Sequence, residues 1–288
     1  MTLLDHPLDS IQDYVSFFSE QELPVLRQSM RSFEEMHTRQ DSLHARQITA
    51  MVEADPLFAA HLMRWTAAQR EPEQSHDITT LGRTIMMMGI APFFRSFAQR
   101  PIVEEQLASR PQDLVEVLRI FAWTRRATHL TRELATLRHD VNAEEVALAT
   151  LLRPLCDILL WLFAPALAQR IHEHIRAHPG ERSIVAEHAV LGCSERDILL
   201  ALFHAWRFPE RLQQLLDNAN GSNPRVRTAA LATAFSRHYA REGWGSPALP
   251  VTIKELNELL PIARDQLLDR LAVPHEVRER WAAIEEND

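Results

Sequence analysis

The chain has 288 residues, 46% of them apolar and 24% charged, ordinary proportions for a globular protein that can bury one large core or two modest ones. A formal charge of -8 and a pI near 6.0 argue against direct nucleic-acid binding, which draws its energy from counterion release onto a basic face. Seven glycines against sixteen prolines point to an all-α fold, because sheet turns need glycine while spaced prolines open helices.

Residues 8–18 read as a short helix, and Ser19 with Glu22 forms a capping-box pattern ahead of Leu23 and Pro24, with a helix expected from Val25 to about Gln40. Asp41 or Ser42 is expected to cap the next helix, whose buried stripe is Leu43, Ile48, Met51 and Val52. Asp55 and Pro56 give a strong start signal for a helix carrying Leu57, Leu62, Met63 and Trp65. Residues 70–78 are polar and read as a loop; Thr79 or Thr80 then caps a helix bearing Leu81, Ile85 and Met88, closed by Gly89. Side chains of Met86, Met87 and Met88 point about 100° apart on a helix and cannot converge on one ion, so the triplet reads as flexible core packing. Pro92, Pro101 and Pro111 mark further starts, and 111–137 is the longest helical stretch, with Leu114, Leu118, Phe121 and Ala122 on one face.

His139 and Asp140 form an adjacent pair, but they precede the Asn142 cap in a polar connection, away from where core helices would converge on a metal. Residues 146–165 are the most apolar block in the chain. Arg153 and Asp157 near its middle would each cost roughly 2.5–3.5 kcal/mol in a bilayer, and Pro154 would remove a helix hydrogen bond. Two buried helices are expected instead, about 142–152 and 154–163, with Pro154 and Pro165 each opening a new helix. The helix from Pro165 to about Ala177 ends at Pro179 and Gly180 and carries His172 and His174, with His178 just beyond. His174 and His178 share one face at the spacing used for zinc, yet imidazoles in a last turn also suit the negative end of the helix dipole, and a solvated or capping role is favoured over metal binding. Ser183 and Ser194 are expected caps, the latter for a helix with Ile198, Leu199, Leu202, Phe203 and Trp206; Asn223 and Pro224 begin a helix to about Arg241. Thr252, Pro261 and Pro274 start three amphipathic helices that form a C-terminal cover or an oligomer surface.

Cys156 and Cys193 do not make a disulfide framework, and the N-terminus has no basic region followed by an apolar one, so a cytoplasmic protein, neither secreted nor membrane-bound, is expected. The expected organisation is an N-terminal helical unit over 1–110, a second over 111–221, and C-terminal helices over 222–288.

The order of these features resembles the HDOD family, the HD-related output domain of bacterial signalling proteins, over about residues 20–220. The matching elements are Leu23 and Pro24, Val52 with Asp55 to Leu57, Leu62 to Trp65, Thr79 through Ile85 with Gly89, Trp123 to Ala135, Ala149 to Leu160, Glu187 to Gly192, and Trp206 with Pro209. The resemblance implies a helical subdomain packed on a degenerate HD-phosphohydrolase-like one. It also implies a His-Asp pair after Leu151 and Leu152, where this chain has Arg153 and Pro154. An upstream histidine of the family falls at Arg125 or Arg126, a later one near Glu195, and His188 survives nearby. Neither arginine nor proline donates a lone pair to a metal, so no metal or cofactor and no hydrolase activity is expected. Arg153, with Arg125 or Arg126, is expected to fill the former metal pocket and to pair with Asp157 or Glu195. The expected function is a non-catalytic regulatory module that binds a protein partner or itself, with Trp65, Trp123, Trp206, Trp244 and Trp281 as interface anchors or, for most, core. The alternative is a binder of an anionic small molecule, nucleotide-like, in the degenerate pocket.

Overall fold

The computed structural model describes residues 3–69, 79–138, 142–178 and 180–285; among them there is no β-strand, only one isolated parallel bridge between Val25 and Ile102. The chain adopts the expected all-α class. Its first helices are α1 (Ile11–Ser19), α2 (Arg27–His37), α3 (Ala45–Glu53), α4 (Pro56–Ala68), α5 (Leu81–Met88), α6 (Ile90–Phe97) and α7 (Val103–Gln106). The long α8 (Pro111–Leu137) precedes α9 (Ala143–Leu152), α10 (Leu155–Phe163), α11 (Pro165–Ala177), α12 (Ser183–Leu191), α13 (Glu195–Ala205) and α14 (Glu210–Leu216). Then come α15 (Pro224–Glu242), α16 (Leu249–Leu259), α17 (Arg264–Arg270) and α18 (His275–Glu285). The expected 70–78 loop and the His139–Asp140 pair lie outside the described residues.

Boundaries fall as expected where a capping side chain precedes proline. Asp55 accepts hydrogen bonds from the Leu57 and Phe58 amides at 3.0 and 3.1 Å ahead of α4, and Asn223 accepts from the Arg225 amide at 2.9 Å ahead of α15. The other Asp55 oxygen accepts from the Leu26 amide and the Ser29 hydroxyl, both at 2.8 Å, so one buried carboxylate ties the start of α2 to the start of α4.

Elsewhere tertiary contacts override local signals. The Ser19–Glu22 box does not form: Ser10 caps α1, and Val25 is held by backbone bonds to Pro101 and Val103, both 2.9 Å, which delays α2 to Arg27. His44, rather than Asp41 or Ser42, precedes α3, because Gln40–Ser42 close a 3-10 turn. Ser183 is the first residue of α12 and makes no side-chain cap, and Thr252 lies inside α16 instead of starting it. On α8 the buried face runs through Val117, Ile120, Phe121, Thr124 and Ala127, so Leu118 and Ala122 are exposed. Only Met88 of the methionine triplet packs against the core: α5 turns Leu81, Thr84 and Ile85 inward and leaves Met86 and Met87 at 67% and 62% exposure.

The segment Ala143–Phe163 is long and apolar enough to cross a membrane by length and composition, but 89% of its most apolar window is buried inside the protein. It forms α9 and α10, packed against α8, α4 and α13. Burying each large aliphatic side chain of this block contributes about 1.5–3 kcal/mol. One apolar cluster runs from Tyr14 on α1 to Val226 on α15, so the helices on either side of residue 110 share a core. A second cluster joins Leu130 and Leu134 at the far end of α8 to Phe235 on α15 and to α16–α18. Helix α15 lies along α8 and α9 and links the two clusters.

Candidate functional site

Helix α9 ends at Leu152, and the chain turns through Arg153 and Pro154 before α10 begins at Leu155. Proline cannot donate the amide that would continue α9, so this turn sets Arg153 at the end of one core helix and Asp157 in the first turn of the next. Glu195, the first residue of α13, stands close to Asp157, and its amide donates to the Glu187 carboxylate of α12 at 3.0 Å.

Arg153, Asp157 and Glu195 are half-buried, and loss of solvent around them dominates the electrostatics of this region. Burial raises Asp157 to about 6; Arg241 and Arg237 of α15 oppose the rise, while Glu187 and Glu116 add to it. Glu195 is pushed well above the usual carboxylate range, by burial first and then by the charges of Asp157 and Glu187. Burial and mutual repulsion therefore both oppose holding the two carboxylates ionised together. Burial lowers Arg153 to about 9, and the charges of Arg196 and Arg237 push it in the same direction. Its guanidinium donates to the Leu215 carbonyl at 3.4 Å.

The structure brings Asp157 and Glu195 together, and both Arg153 and this carboxylate pair have Arg237 as a charged neighbour. The cations beside Asp157 and Glu195 are Arg237 and Arg241, one helical turn apart on α15. Arg125 and Arg126 lie on the exposed side of α8, where the Arg126 guanidinium sits 3.8 Å from the Tyr239 ring centroid. His188 is exposed on α12. Sequence reasoning missed Glu116, Glu187, Arg237 and Arg241; the Arg237–Arg241 spacing of four was its one available signal. Cys156, buried in α10, has its thiol pushed well upward by burial and by the surrounding carboxylates, which keeps it an unreactive core residue.

Beside this cluster an open cleft of about 490 Å³ lies between the start of α8 and α11, lined by Glu116, Trp161, Gln169, His172, Glu173 and Arg176 among others. Asp113 at its floor is held by Arg110 and Gln169, each at 3.3 Å. Burial, Arg241 and Arg176 lower His172 to about 4, so its ring is neutral at physiological pH.

The family model described as HDOD domain matches residues 23–221. The chain belongs to the HDOD family. Among solved structures the HDOD chain is similar to a virulence factor from Campylobacter jejuni subsp. jejuni, at 15% identity and a TM-score of 0.64 over 94% of this chain and 95% of that one. It is also similar to the MmoQ response regulator from Methylococcus capsulatus, at 16% identity and a TM-score of 0.62 over 86% of this chain and 98% of that one. No curated protein sequence matches significantly. Arg237 and Arg241 lie beyond the HDOD match, so the cations facing Asp157 and Glu195 come from the helix that follows it.

The residues of this pocket do not fit the divalent metal of an HD phosphohydrolase. Where the resemblance implies the His-Asp pair this chain has a guanidinium and a proline, and both lack a donor lone pair. Among the described residues the pocket brings no three His, Cys, Asp or Glu ligand atoms close enough for one ion. Arg196 and Arg237 beside Arg153 would further repel a cation.

Proposed function

We propose that this chain is a non-catalytic regulatory module of bacterial signalling that works in the cytoplasm by binding a protein partner or a second copy of itself. The observation that carries this reading is the replacement of a metal-ligand pair by Arg153 and Pro154 within a cleft whose remaining carboxylates face Arg237 and Arg241. A catalytic unit that loses its ligands loses nearly all of its rate, while the surrounding core is kept. The response-regulator description of the similar MmoQ structure supports a place in signalling. Met86 and Met87 support the interaction reading, because adjacent exposed methionines make an adaptable apolar surface. The tryptophans do not serve this role as well: Trp123, Trp206 and Trp281 are at most 7% exposed.

Affinity capture from the native cell with the wild type and with Met86→Glu/Met87→Glu tests the interaction. Both proteins should melt alike, since the methionines are outside the core, and the variant should lose the captured partner. Equal capture by the two would remove this surface from the account. A second reading, capture of a phosphate-bearing small molecule, is favoured by the grouping of Arg153, Arg196 and Arg237. A selective nucleotide thermal shift that Arg196→Ala abolishes would establish it.

A further inference from the structure

We propose that His174, His178 and Glu181, at the C-terminal end of α11, form a binding site for a divalent transition-metal ion of the zinc type, independent of the signalling reading. The three side chains each present one ligand atom, and these atoms all lie within 4.8 Å of one another. Tetrahedral zinc with bonds of about 2.0–2.2 Å sets its ligand atoms about 3.3 Å apart, so small side-chain rotations close the site.

Three further features prepare it. The His174 and His178 ring centroids are 4.4 Å apart with the planes inclined by 32°, which places both imidazoles on one edge of the last turn of α11. The His178 Nδ1 lies 3.0 Å from the His174 carbonyl oxygen, and a carbonyl only accepts, so Nδ1 carries the proton and Nε2 keeps its lone pair. A backbone acceptor on the non-ligating nitrogen is the arrangement that orients metal-bound histidine. The third ligand is brought back by a turn in which Gly180 adopts φ +90, a conformation that side chains disfavour, and the Glu181 amide donates to the His178 carbonyl at 3.2 Å. In the metal-free protein His174 Nε2 and Glu181 Oε2 are 2.9 Å apart, the hydrogen bond that an ion would replace. The negative end of the α11 dipole favours a cation here. Three protein ligands leave a fourth position for water, and an ion so held fastens the end of α11 to the chain leading into α12.

The test is titration of the chelator-stripped full-length chain with Zn²⁺ by calorimetry, and with Co²⁺ by its ligand-field absorption, for the wild type, His178→Ala, Glu181→Gln and Asp157→Asn. The expected result is one equivalent bound by the wild type and by Asp157→Asn, with affinity at least about 10-fold weaker in His178→Ala and Glu181→Gln. Each of these side chains except Asp157 lies at the surface, so folding is preserved. No saturable binding, or equal binding by all four proteins, overturns the site. Loss of binding in Asp157→Asn alone would place the ion in the degenerate pocket, overturning both this site and the non-catalytic reading, whereas failure at His178 leaves that reading untouched.

Discussion

Replacing Asp157 with asparagine should make the protein less sensitive to rising pH. In the folded chain Asp157 titrates at about 6, against about 3.9 when unfolded. A carboxylate raised on folding contributes stability that is complete below the unfolded value and is lost as pH rises through the folded one. From pH 5 to pH 8 one unit of that interval is traversed, so the wild type should lose about 1.4 kcal/mol through this group. Asp157→Asn keeps the size of the side chain and removes the titration. Urea unfolding of both proteins at pH 5 and pH 8 gives the difference of differences, in which groups remote from Asp157 largely cancel and any change at Glu195 adds to the effect. The variant should lose about 1.4 kcal/mol less than the wild type and be the more stable of the two at pH 8. Glu195, relieved of the charge that raises it most after burial, should titrate lower in the variant. Equal losses in both proteins, or a variant weaker at pH 8, would mean that Arg237 and Arg241 stabilise the ionised Asp157 by more than burial disfavours it, refuting the electrostatic account of this cleft.

Other consequences follow from buried polar groups. Asp55→Asn retains one oxygen to cap α4 but turns an amide donor toward the Leu26 amide and the Ser29 hydroxyl; a loss of about 2–4 kcal/mol in denaturant unfolding is expected, and a loss below 1 kcal/mol would deny the double anchoring. His61 is lowered to about 3 by burial and by Arg100 and Arg64, against about 6.5 unfolded, so its contribution is intact above pH 6.5 and falls by about 2 kcal/mol on reaching pH 5. His61→Leu should flatten that acid decline in thermal melts, and an unchanged acid slope would contradict the assignment.

Much of the fold was legible because helix punctuation is local. Asp55–Pro56, Asn223–Pro224, Pro111 and Pro165 each combine a fixed φ with a helix start, and no distant contact is needed to read them. The start of α2 was not legible, because Val25 is claimed by Pro101 and Val103 from a segment more than seventy positions away. The exposure of Met86 and Met87 and the rotated face of α8 share a cause: an apolar residue on a helix is buried only where another element covers it, and period alone does not say which elements arrive. Within the site, Arg153 and Asp157 stand out as charges inside the most apolar block, and Glu195 is pointed to by the family resemblance alone. Arg237 and Arg241 were not legible, since they lie past its end and reach the pocket through the packing of α15 on α8 and α9. Arg125 and Arg126 were placed there by sequence offset, and the helix turns them outward.

The central claim, that this HDOD chain has kept the core and lost the chemistry, is tested most directly by incubating the purified full-length protein with Mn²⁺ or Mg²⁺ and a panel of phosphomonoesters and cyclic nucleotides, and measuring phosphate or nucleotide release. The account predicts release no faster than in buffer with the same ions. Turnover that Asp157→Asn abolishes while His178→Ala leaves it unchanged would contradict it.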